Sequence, residues 1–262
     1  MIIDGHSHVT LPVEDHIREM DETGVDITVL FSTSFHPEFA RNAEEAKASM
    51  VYLKEILSGK WGSVIEIRKK AVDELMNAIK LFPDRYIGFG NVPINVDLET
   101  TKQFIEDNII KNELAGIGEF TFGGGDAHLM ENVFKAAADF EKMPVWIHGF
   151  FPVTLSDIKS IAGYARQYPQ TPVILGHLGG CYWLESMELA QEVPNLYLDT
   201  SASYSFYILG IIINALPRKC IFGVDRPFGD IGLSIGALKK AAKSAGIANA
   251  VLSENIATIL GL

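Results

Sequence analysis

The chain has 262 residues, of which 48% are hydrophobic and 21% charged, and its formal net charge is -11 at pH 7. This composition is typical of a folded protein with a sizeable core and excludes a disordered chain. The acidic balance argues against nucleic acid and anionic membranes as partners, because both bind clustered Lys and Arg.

Short apolar runs typical of strands recur along the whole chain. They lack polar–apolar alternation, so both faces should be buried, as in a parallel sheet. The runs cover residues 1–4, 26–32, 85–92, 115–120, 144–149, 172–177, 195–201 and 220–225. Segments with a helical pattern lie between them, for example at 96–112, 128–142 and 154–168, the last with Thr154 as N-cap and Asp157 in its first turn. This alternation predicts an α/β fold, a (β/α)8 TIM barrel, and the runner-up, a doubly wound sheet, is weakened because no GxGxxG follows a strand.

The connection between the second and third strands, residues 33–84, is the longest in the chain. It carries two helical patterns, at 37–57 and 63–82, with a turn at 58–62 between them. We expect one domain over residues 1–262 with a helical insertion at 33–84. In a barrel the insertion would leave from the catalytic face, either as a lid or as a contact with another subunit, and we expect a homo-oligomer.

The chain opens with "MIIDGHSHVT", which places two histidines one residue apart after a short apolar run. Alternate side chains of a strand point the same way, so His6 and His8 can bind one metal ion. This spacing alone is weak evidence, because core and surface histidines share it.

Further polar residues end other predicted strands. Glu119 ends the fourth, His148 the fifth, His177 the sixth and Asp225 the last. Buried polar groups are costly unless they are paired, protonated or bound to a metal, and strand ends converge on the catalytic face of a barrel. Histidine and carboxylate ligands predict a divalent metal site, with Zn²⁺ as the first choice and manganese, iron(II) or nickel as alternatives.

These strand-end residues, with "VILGHLGG", "NLYLDTSA" and "IFGVDRPFGD" around them, resemble the amidohydrolase superfamily. The flanking text is closest to its amidohydrolase-related branch, which includes aminocarboxymuconate-semialdehyde and hydroxybenzoate decarboxylases and lactone hydrolases. The resemblance covers the chain outside residues 37–84, and the barrel that it implies agrees with the strand pattern.

The resemblance implies four ligands of one metal ion: His6, His8, His148 and Asp225. His177 would lie beside the metal ion. Our hypothesis is that Asp225 contacts the ion and accepts the water proton, with His177 as the assisting acid or base. Some relatives bridge two ions at the fourth strand, so Glu119 is either such a bridge or a supporting residue, and the site holds two ions or one. Asp4 is expected to hold a ligand histidine in place.

The chain departs from the family pattern around Asp225, where relatives usually have a small residue before it and Trp after it. Here Val224 and Arg226 stand in those places. Arg226 either binds an anionic group of a small-molecule substrate or braces the loop by pairing with Asp230 or Asp199. Arg41 is a second candidate for anion binding.

Several other side chains have two open interpretations. Four aromatic residues after strand ends either line a substrate pocket or pack under loops: Phe122, Phe150, Trp183 and Tyr204. His36 is a lid residue or a surface histidine, and we expect His16 and His128 to be solvated.

Two cysteines, Cys181 and Cys220, form neither a disulfide framework nor a CxxC metal site. No apolar run reaches the ~18 residues that a membrane span needs, and the N-terminus does not read as a secretory signal. We therefore expect a cytoplasmic protein.

Three functions remain for such a barrel. The first is a metal-dependent hydrolase that opens a small amide, lactone or ester, and the shortness of the chain favours it. The second is a non-oxidative decarboxylase of a small carboxylic acid, which would use the same ligands. The third is a non-catalytic metal-binding barrel, which is disfavoured because none of the expected ligands is missing.

Overall fold

The computed structural model of this protein describes residues 1–57, 60, 62–140 and 143–262. Within these residues, eight parallel strands pair in sequence order. They are β1 (Ile3–His8), β2 (Ile27–Phe31), β3 (Tyr86–Gly90), β4 (Gly116–Phe120), β5 (Val145–Ile147), β6 (Val173–Leu175), β7 (Leu196–Asp199) and β8 (Cys220–Ile221). The predicted (β/α)8 TIM barrel is therefore confirmed for the described part of the chain.

Helices surround the strands. They are α1 (Val13–Thr23), α2 (Ala43–Leu57), α3 (Val64–Leu81), α4 (Leu98–Ile105), α5 (Glu131–Asp139), α6 (Leu155–Gln167), α7 (Trp183–Glu192), α8 (Phe206–Ala215), α9 (Ile231–Ala241), α10 (Ala245–Asn249) and α11 (Asn255–Leu260). Within the described residues, every helix is too short or too polar to cross a bilayer.

Backbone hydrogen bonds between β1 and the segment after β8 join the two ends of the sheet. The amide of Gly5 donates to the carbonyl of Phe222 at 2.8 Å, and that of His8 to the carbonyl of Arg226 at 2.9 Å. The sheet is therefore nearly closed, and the carboxyl ends of its strands meet at one face.

Two layers of apolar side chains hold the barrel together. The larger layer lies between strands and helices, and the smaller fills the interior of the barrel. In the interior, the rings of Phe31, Phe89 and Trp146 pack with centroids 5.2 to 5.9 Å apart. Gly116 makes room for this aromatic group, because a Cβ there would collide with the ring of Phe89. The imidazole of His6 lies against it, 4.8 Å from the ring of Phe31.

The described part of the long connection between β2 and β3 contains the helices α2 and α3. Its first helix begins at Ala43 rather than at residue 37, because Pro37 opens a separate short turn, Pro37–Phe39. The predicted turn at 58–62 lies partly outside the described residues, as do the last two residues of the predicted helix 128–142.

Two local predictions can be compared directly with the structure. The predicted N-cap of α6 is confirmed, since the hydroxyl oxygen of Thr154 accepts from the amide of Asp157. The side chain of Asp157 accepts in turn from the amide of Thr154 at 2.9 Å, which completes a capping box. The solvated position predicted for His16 is wrong. Its ring is buried on α1, and its Nδ1 lies 3.2 Å from the hydroxyl of Tyr86 on β3.

Candidate metal centre

The carboxyl ends of the strands bring imidazoles and carboxylates into one buried cluster. His6 and His8 come from β1 and Glu119 from β4, because a strand exposes its last residues at that face. The remaining members stand at or just after the ends of later strands: His148, His177, Asp199 and Asp225.

One carboxylate oxygen of Glu119 faces the two histidines of β1. Its Oε2 lies 3.4 Å from Nε2 of His6 and 3.5 Å from Nε2 of His8. Oδ1 of Asp225 lies 3.3 Å from the same nitrogen of His8 and 3.9 Å from that of His6. Two ligands about 2.1 Å from a tetrahedral ion are roughly 3.4 Å apart. The contacts of Glu119 with both histidines and of Asp225 with His8 match that spacing, and Asp225 lies farther from His6.

The other oxygen of Glu119 faces a second pair of histidines. Its Oε1 lies 3.0 Å from Nδ1 of His148 and 3.1 Å from Nε2 of His177. These two nitrogens are 3.0 Å apart. These contacts are short enough to be hydrogen bonds. They also match a metal site, because two ligands about 2.1 Å from an octahedral ion are roughly 3.0 Å apart.

Asp199 and Ser201 hold two of these rings from behind. Oδ2 of Asp199 lies 2.6 Å from Nδ1 of His6 and accepts at 3.2 Å from the indole nitrogen of Trp146. The hydroxyl of Ser201 donates to the same carboxylate at 2.8 Å and lies 3.0 Å from Nδ1 of His177. Because Nδ1 of His6 is held by Asp199, its Nε2 lone pair is left for a metal.

Asp4 holds the backbone of the site rather than a ring. Its carboxylate accepts from the hydroxyl of Ser7 at 2.5 Å, and from the amides of His6 at 3.1 Å and Val224 at 3.0 Å. Burial raises the pKa of Asp4 to about 7. Asp4 therefore joins β1 to the segment that carries Asp225.

Both residues predicted to move protons adopt left-handed backbone conformations. The φ angle is 57° at His177 and 66° at Asp225. Such conformations are costly for residues other than glycine and cluster at functional sites. The surrounding fold therefore imposes the positions of these two side chains.

The charges of the cluster favour a cation. Burial alone would lower the pKa of His8, but hydrogen bonds with Asp225 and Glu119 raise it to about 9. Burial likewise opposes ionisation of Glu119, yet the imidazoles of His6 and His148 hold its pKa well below the usual range. Divalent ions replace ring protons in such sites, since ligand histidines bind as neutral imidazoles.

Buried histidine nitrogens without hydrogen-bond partners are a second observation that fits a metal site. Nε2 of His6 and Nδ1 of His8 are buried and have no hydrogen-bond partner among the described residues. A buried nitrogen without a partner is costly, and an ion at Nε2 of His6 would satisfy it. Three overlapping groups of potential ligands have donor atoms within 4.8 Å of one another: His6, His8 and Glu119; His6, His177 and Asp199; Glu119, His148 and His177.

A cavity of about 510 Å³ opens above the cluster. The cluster supplies part of its wall, namely His8, Glu119, His148, His177 and Asp225. The insertion supplies another part, including Phe35, Met50, Leu53, Ile56 and Arg68. The inserted helices therefore cover the candidate metal site, while the donor groups named above come from the barrel.

The predicted substrate residues have different positions. Phe150 and Tyr204 line the cavity, whereas Phe122 and Trp183 are absent from its described lining. Phe122 is buried in the layer between strands and helices, and Trp183 packs against that layer.

The ion-pair partner predicted for Arg226 was wrong. Its guanidinium pairs with Glu19, with Nε 2.9 Å from Oε2 and Nη2 3.0 Å from Oε1, and also donates to Thr10. It is absent from the described cavity lining, so this geometry fits the bracing interpretation, with Glu19 as partner instead of Asp230 or Asp199. Arg41 pairs with Glu45 and is 84% exposed, outside the same lining.

Sequence reasoning missed three residues of the site. Asp199 ends β7 in "NLYLDTS", so the rule that found the other strand-end residues would have found it. Ser201 follows it by two residues. Arg68 lies on α3 among other basic residues, and nothing in the sequence distinguishes it.

Comparison with known proteins supplies the family and the fold. The family model described as Amidohydrolase matches residues 3–262. No curated protein matches the sequence.

Three solved structures, each 15 or 16% identical to this chain, illustrate the fold likeness. A 5-carboxyvanillate decarboxylase from Sphingomonas paucimobilis is 16% identical, with TM-score 0.69 and coverage of 100% of this chain and 99% of that chain. A 4-oxalomesaconate hydratase from Rhodopseudomonas palustris is 15% identical, with TM-score 0.68 and coverage of 100% and 96%. A dihydroxybenzoic acid decarboxylase from Polaromonas sp. JS666, with bound manganese and the inhibitor 2-nitroresorcinol, is 16% identical, with TM-score 0.68 and coverage of 100% and 97%.

Proposed function

The chain belongs to the amidohydrolase family, and from that premise we propose that it is a metal-dependent hydrolase of the C–N or C–O bond of a small amide, lactone or ester. The observation that carries the proposal is the division of Glu119 between two groups of histidines. A carboxylate with one oxygen toward each group suits a bridge between two ions. Ions held there would supply the Lewis-acid activation of water and of a substrate carbonyl oxygen that hydrolysis needs.

The donor set supports a divalent ion, with Zn²⁺ as the first candidate and Mn²⁺ as the second. The first position would use His6, His8 and Asp225, and the second would use His148, with one oxygen of Glu119 at each position and His177 beside the second one. A bound ion of this kind acts as a Lewis acid and lowers the pKa of water from ~15.7 towards ~7.

The chain's own residues then move the protons. We assign to the carboxylate of Asp225 the acceptance of a proton from the attacking water. We assign to His177 the delivery of a proton to the leaving group, with its ring orientation held by Ser201. The cavity walls supplied by the insertion limit the access of bulk water to the reacting bond.

Elemental analysis of metal per chain tests the bridge. Wild-type protein is expected to hold about two ions, as in two-metal hydrolases. His6→Ala and Glu119→Gln should both lower the metal content, and the matched control His128→Ala, at an exposed position, should not. One ion per chain that persists in Glu119→Gln would overturn the bridge, and protein that takes up no metal would overturn the hydrolase.

A non-oxidative decarboxylase is the second candidate. It is supported by the decarboxylases among the structural neighbours, although at 16% identity these show the fold alone. The two reactions differ in where solvent atoms enter the product. In water labelled with heavy oxygen, hydrolysis places the label in the new acid, whereas in deuterated water decarboxylation places deuterium on carbon and releases CO₂.

A further inference from the structure

Arg68 differs from every other arginine of this chain in having no carboxylate partner among the residues that the structure describes. The sequence contains seven arginines. Six of them form ion pairs: Arg18, Arg41, Arg85, Arg166, Arg218 and Arg226. Among the described residues, no ion pair or hydrogen bond to Arg68 exists, and its Nε is shielded from solvent and without a partner.

An unpaired guanidinium in such a place is costly. Arg68 is half-buried, with its Nε shielded from solvent. Moving part of a charge out of water without a counter-charge is unfavourable, so proteins rarely keep such a group without a use. Burial lowers the pKa of Arg68 to about 10, so the side chain is still a cation at neutral pH. The described part of the fold therefore holds a permanent positive charge at Arg68 without a counter-ion of its own.

The position of Arg68 indicates what the counter-ion is. Arg68 lines the cavity above the metal cluster, and Lys54, from α2, lines it as well. The acidic residues of the described lining, Glu119 and Asp225, both belong to the metal cluster. The cavity thus has a cationic wall from the inserted helices and a metal-binding floor from the barrel.

We propose that Arg68 binds an oxyanion of the substrate, a carboxylate or a phosphate, at a point separate from the bond that reacts. This inference rests on the proposed function and narrows its substrate class. A planar guanidinium binds either group through two parallel N–H donors. Most of the remaining wall is apolar, with Phe35, Met50 and Leu53 among its members, so the substrate has an apolar middle. The substrate is therefore a small anionic amide, lactone or ester.

Calorimetry with three benzene derivatives tests the proposal on zinc-loaded protein. The probes are benzoate, isophthalate, which adds a second carboxylate, and 3-phosphonobenzoate, which adds a phosphonate in the same place. A charge-assisted hydrogen bond contributes enough for isophthalate to bind about tenfold more tightly than benzoate. Tighter binding of the phosphonate than of isophthalate would identify a phosphate-bearing substrate, and the reverse order a carboxylate.

Substitutions assign that difference to Arg68. Arg68→Met should abolish the preference for isophthalate, and Arg68→Lys should restore part of it. Arg41→Met is the matched control, since Arg41 lies on the same insertion but is exposed and paired with Glu45. An equal affinity of wild-type protein for benzoate and isophthalate, or an unchanged preference in Arg68→Met, would overturn the proposal.

Metal-free protein separates this inference from the proposed function. After treatment with a chelator, benzoate should still bind wild-type protein more tightly than Arg68→Met, because the guanidinium needs no ion. If benzoate binds wild-type protein more tightly but the protein takes up no metal, the anion site is supported and the proposed hydrolase is contradicted. If metal uptake is normal but Arg68→Met binds benzoate as tightly as wild-type protein, the anion site is contradicted and the proposed hydrolase is not.

The midpoint of thermal unfolding distinguishes an anion-binding role of Arg68 from a purely structural one, because the two roles predict opposite changes in Arg68→Met. Removing an uncompensated, shielded charge should leave the midpoint of Arg68→Met unchanged or raise it. A lower midpoint would mean that Arg68 stabilises the fold, and would contradict the proposal.

Discussion

At the scale of single residues, the contact of Asp199 with His6 decides which ring nitrogen faces the metal position. The carboxylate lies 2.6 Å from Nδ1 of His6, and both groups are fully buried. Gly223 leaves space for this carboxylate, because a Cβ there would lie 2.5 Å from its Oδ1. Any influence of Asp199 on an ion at Nε2 of His6 would therefore pass through the ring of His6.

Asp199→Asn should weaken metal binding without removing a predicted ligand. The amide keeps the shape of the side chain but loses the charge that favours a donating Nδ1–H on His6. Substitutions of such supporting partners typically cost about 10- to 100-fold in metal affinity. Competition with a chromophoric chelator measures the loss, with the exposed Asp73→Asn as control. Equal affinities for the two variants would show that Asp199 has no such role.

The residues of the site were predictable to different degrees for a physical reason. His6, His8, Glu119, His148 and Asp225 stand at strand ends, and a barrel brings strand ends together whatever the details of packing. The environment of an arginine depends on partners distant in sequence. Glu19, which pairs with Arg226, is 207 residues away from it, and no local pattern records that contact. The sequence likewise does not reveal that Arg68 has no ion-pair partner among the described residues.

At the scale of elements, a buried histidine joins α1 to β3. Burial, with Arg226 and Arg85 nearby, lowers the pKa of His16 to about 3, so the ring is neutral in the folded protein. In the unfolded chain the same group takes up a proton near its ordinary pKa of about 6.5. The unfolded state therefore binds more protons below pH 6.5, and the contribution of His16 is present above that pH and lost as pH falls.

His16→Gln should make the protein less sensitive to acid. Between pH 7 and pH 5 the wild type should lose about 2 kcal/mol more unfolding free energy than the variant, from this one group. Urea unfolding at the two pH values measures the difference, and other titrating groups cancel between the two proteins. The exposed His128→Gln is the matched control and should follow the wild type. A variant with the same acid sensitivity as the wild type would contradict the assignment.

The sequence predicted the existence and order of the strands and helices better than the residues at which they begin and end. The order of strands follows from apolar runs, and the start of α6 follows from the side chains of Thr154 and Asp157. The last strand was predicted over 220–225, yet β8 ends at Ile221, and the amide of the next residue, Phe222, donates to the carbonyl of Val251 outside the sheet. His16 was misplaced because a single histidine on a helix does not reveal which face is buried.

At the scale of the whole molecule, the two inserted helices differ in how they are held. The inner face of α3 is buried on the barrel through Ala71, Val72, Leu75 and Ala78. Among the described side chains of α2, Ile56 alone is buried, and Met50 and Val51 are 45% and 49% exposed. Helices that bury so little apolar surface open locally at low free energy. Both helices therefore contribute to the cavity wall, but α3, which carries Arg68, is packed firmly on the barrel and α2 is packed weakly.

Hydrogen exchange followed by mass spectrometry distinguishes the two interpretations of the insertion. If α2 is a lid, its amides should exchange far faster than those of α3 in the free protein, because only α3 is packed on the barrel. Isophthalate bound in the cavity should then slow exchange in α2, which lines the cavity with Met50, Leu53 and Ile56. The outer helix α6 is the internal control and should not respond to the ligand.

The other interpretation makes a different prediction from the same exposed side chains. If α2 is an oligomer contact, a second copy of the chain covers Met50 and Val51, so slow exchange in α2 should appear without ligand and disappear on dilution. Sedimentation at the same concentrations would report dissociation in parallel. Slow exchange that responds to neither ligand nor dilution would contradict both interpretations, since α2 would then be stable without any partner for its exposed apolar side chains.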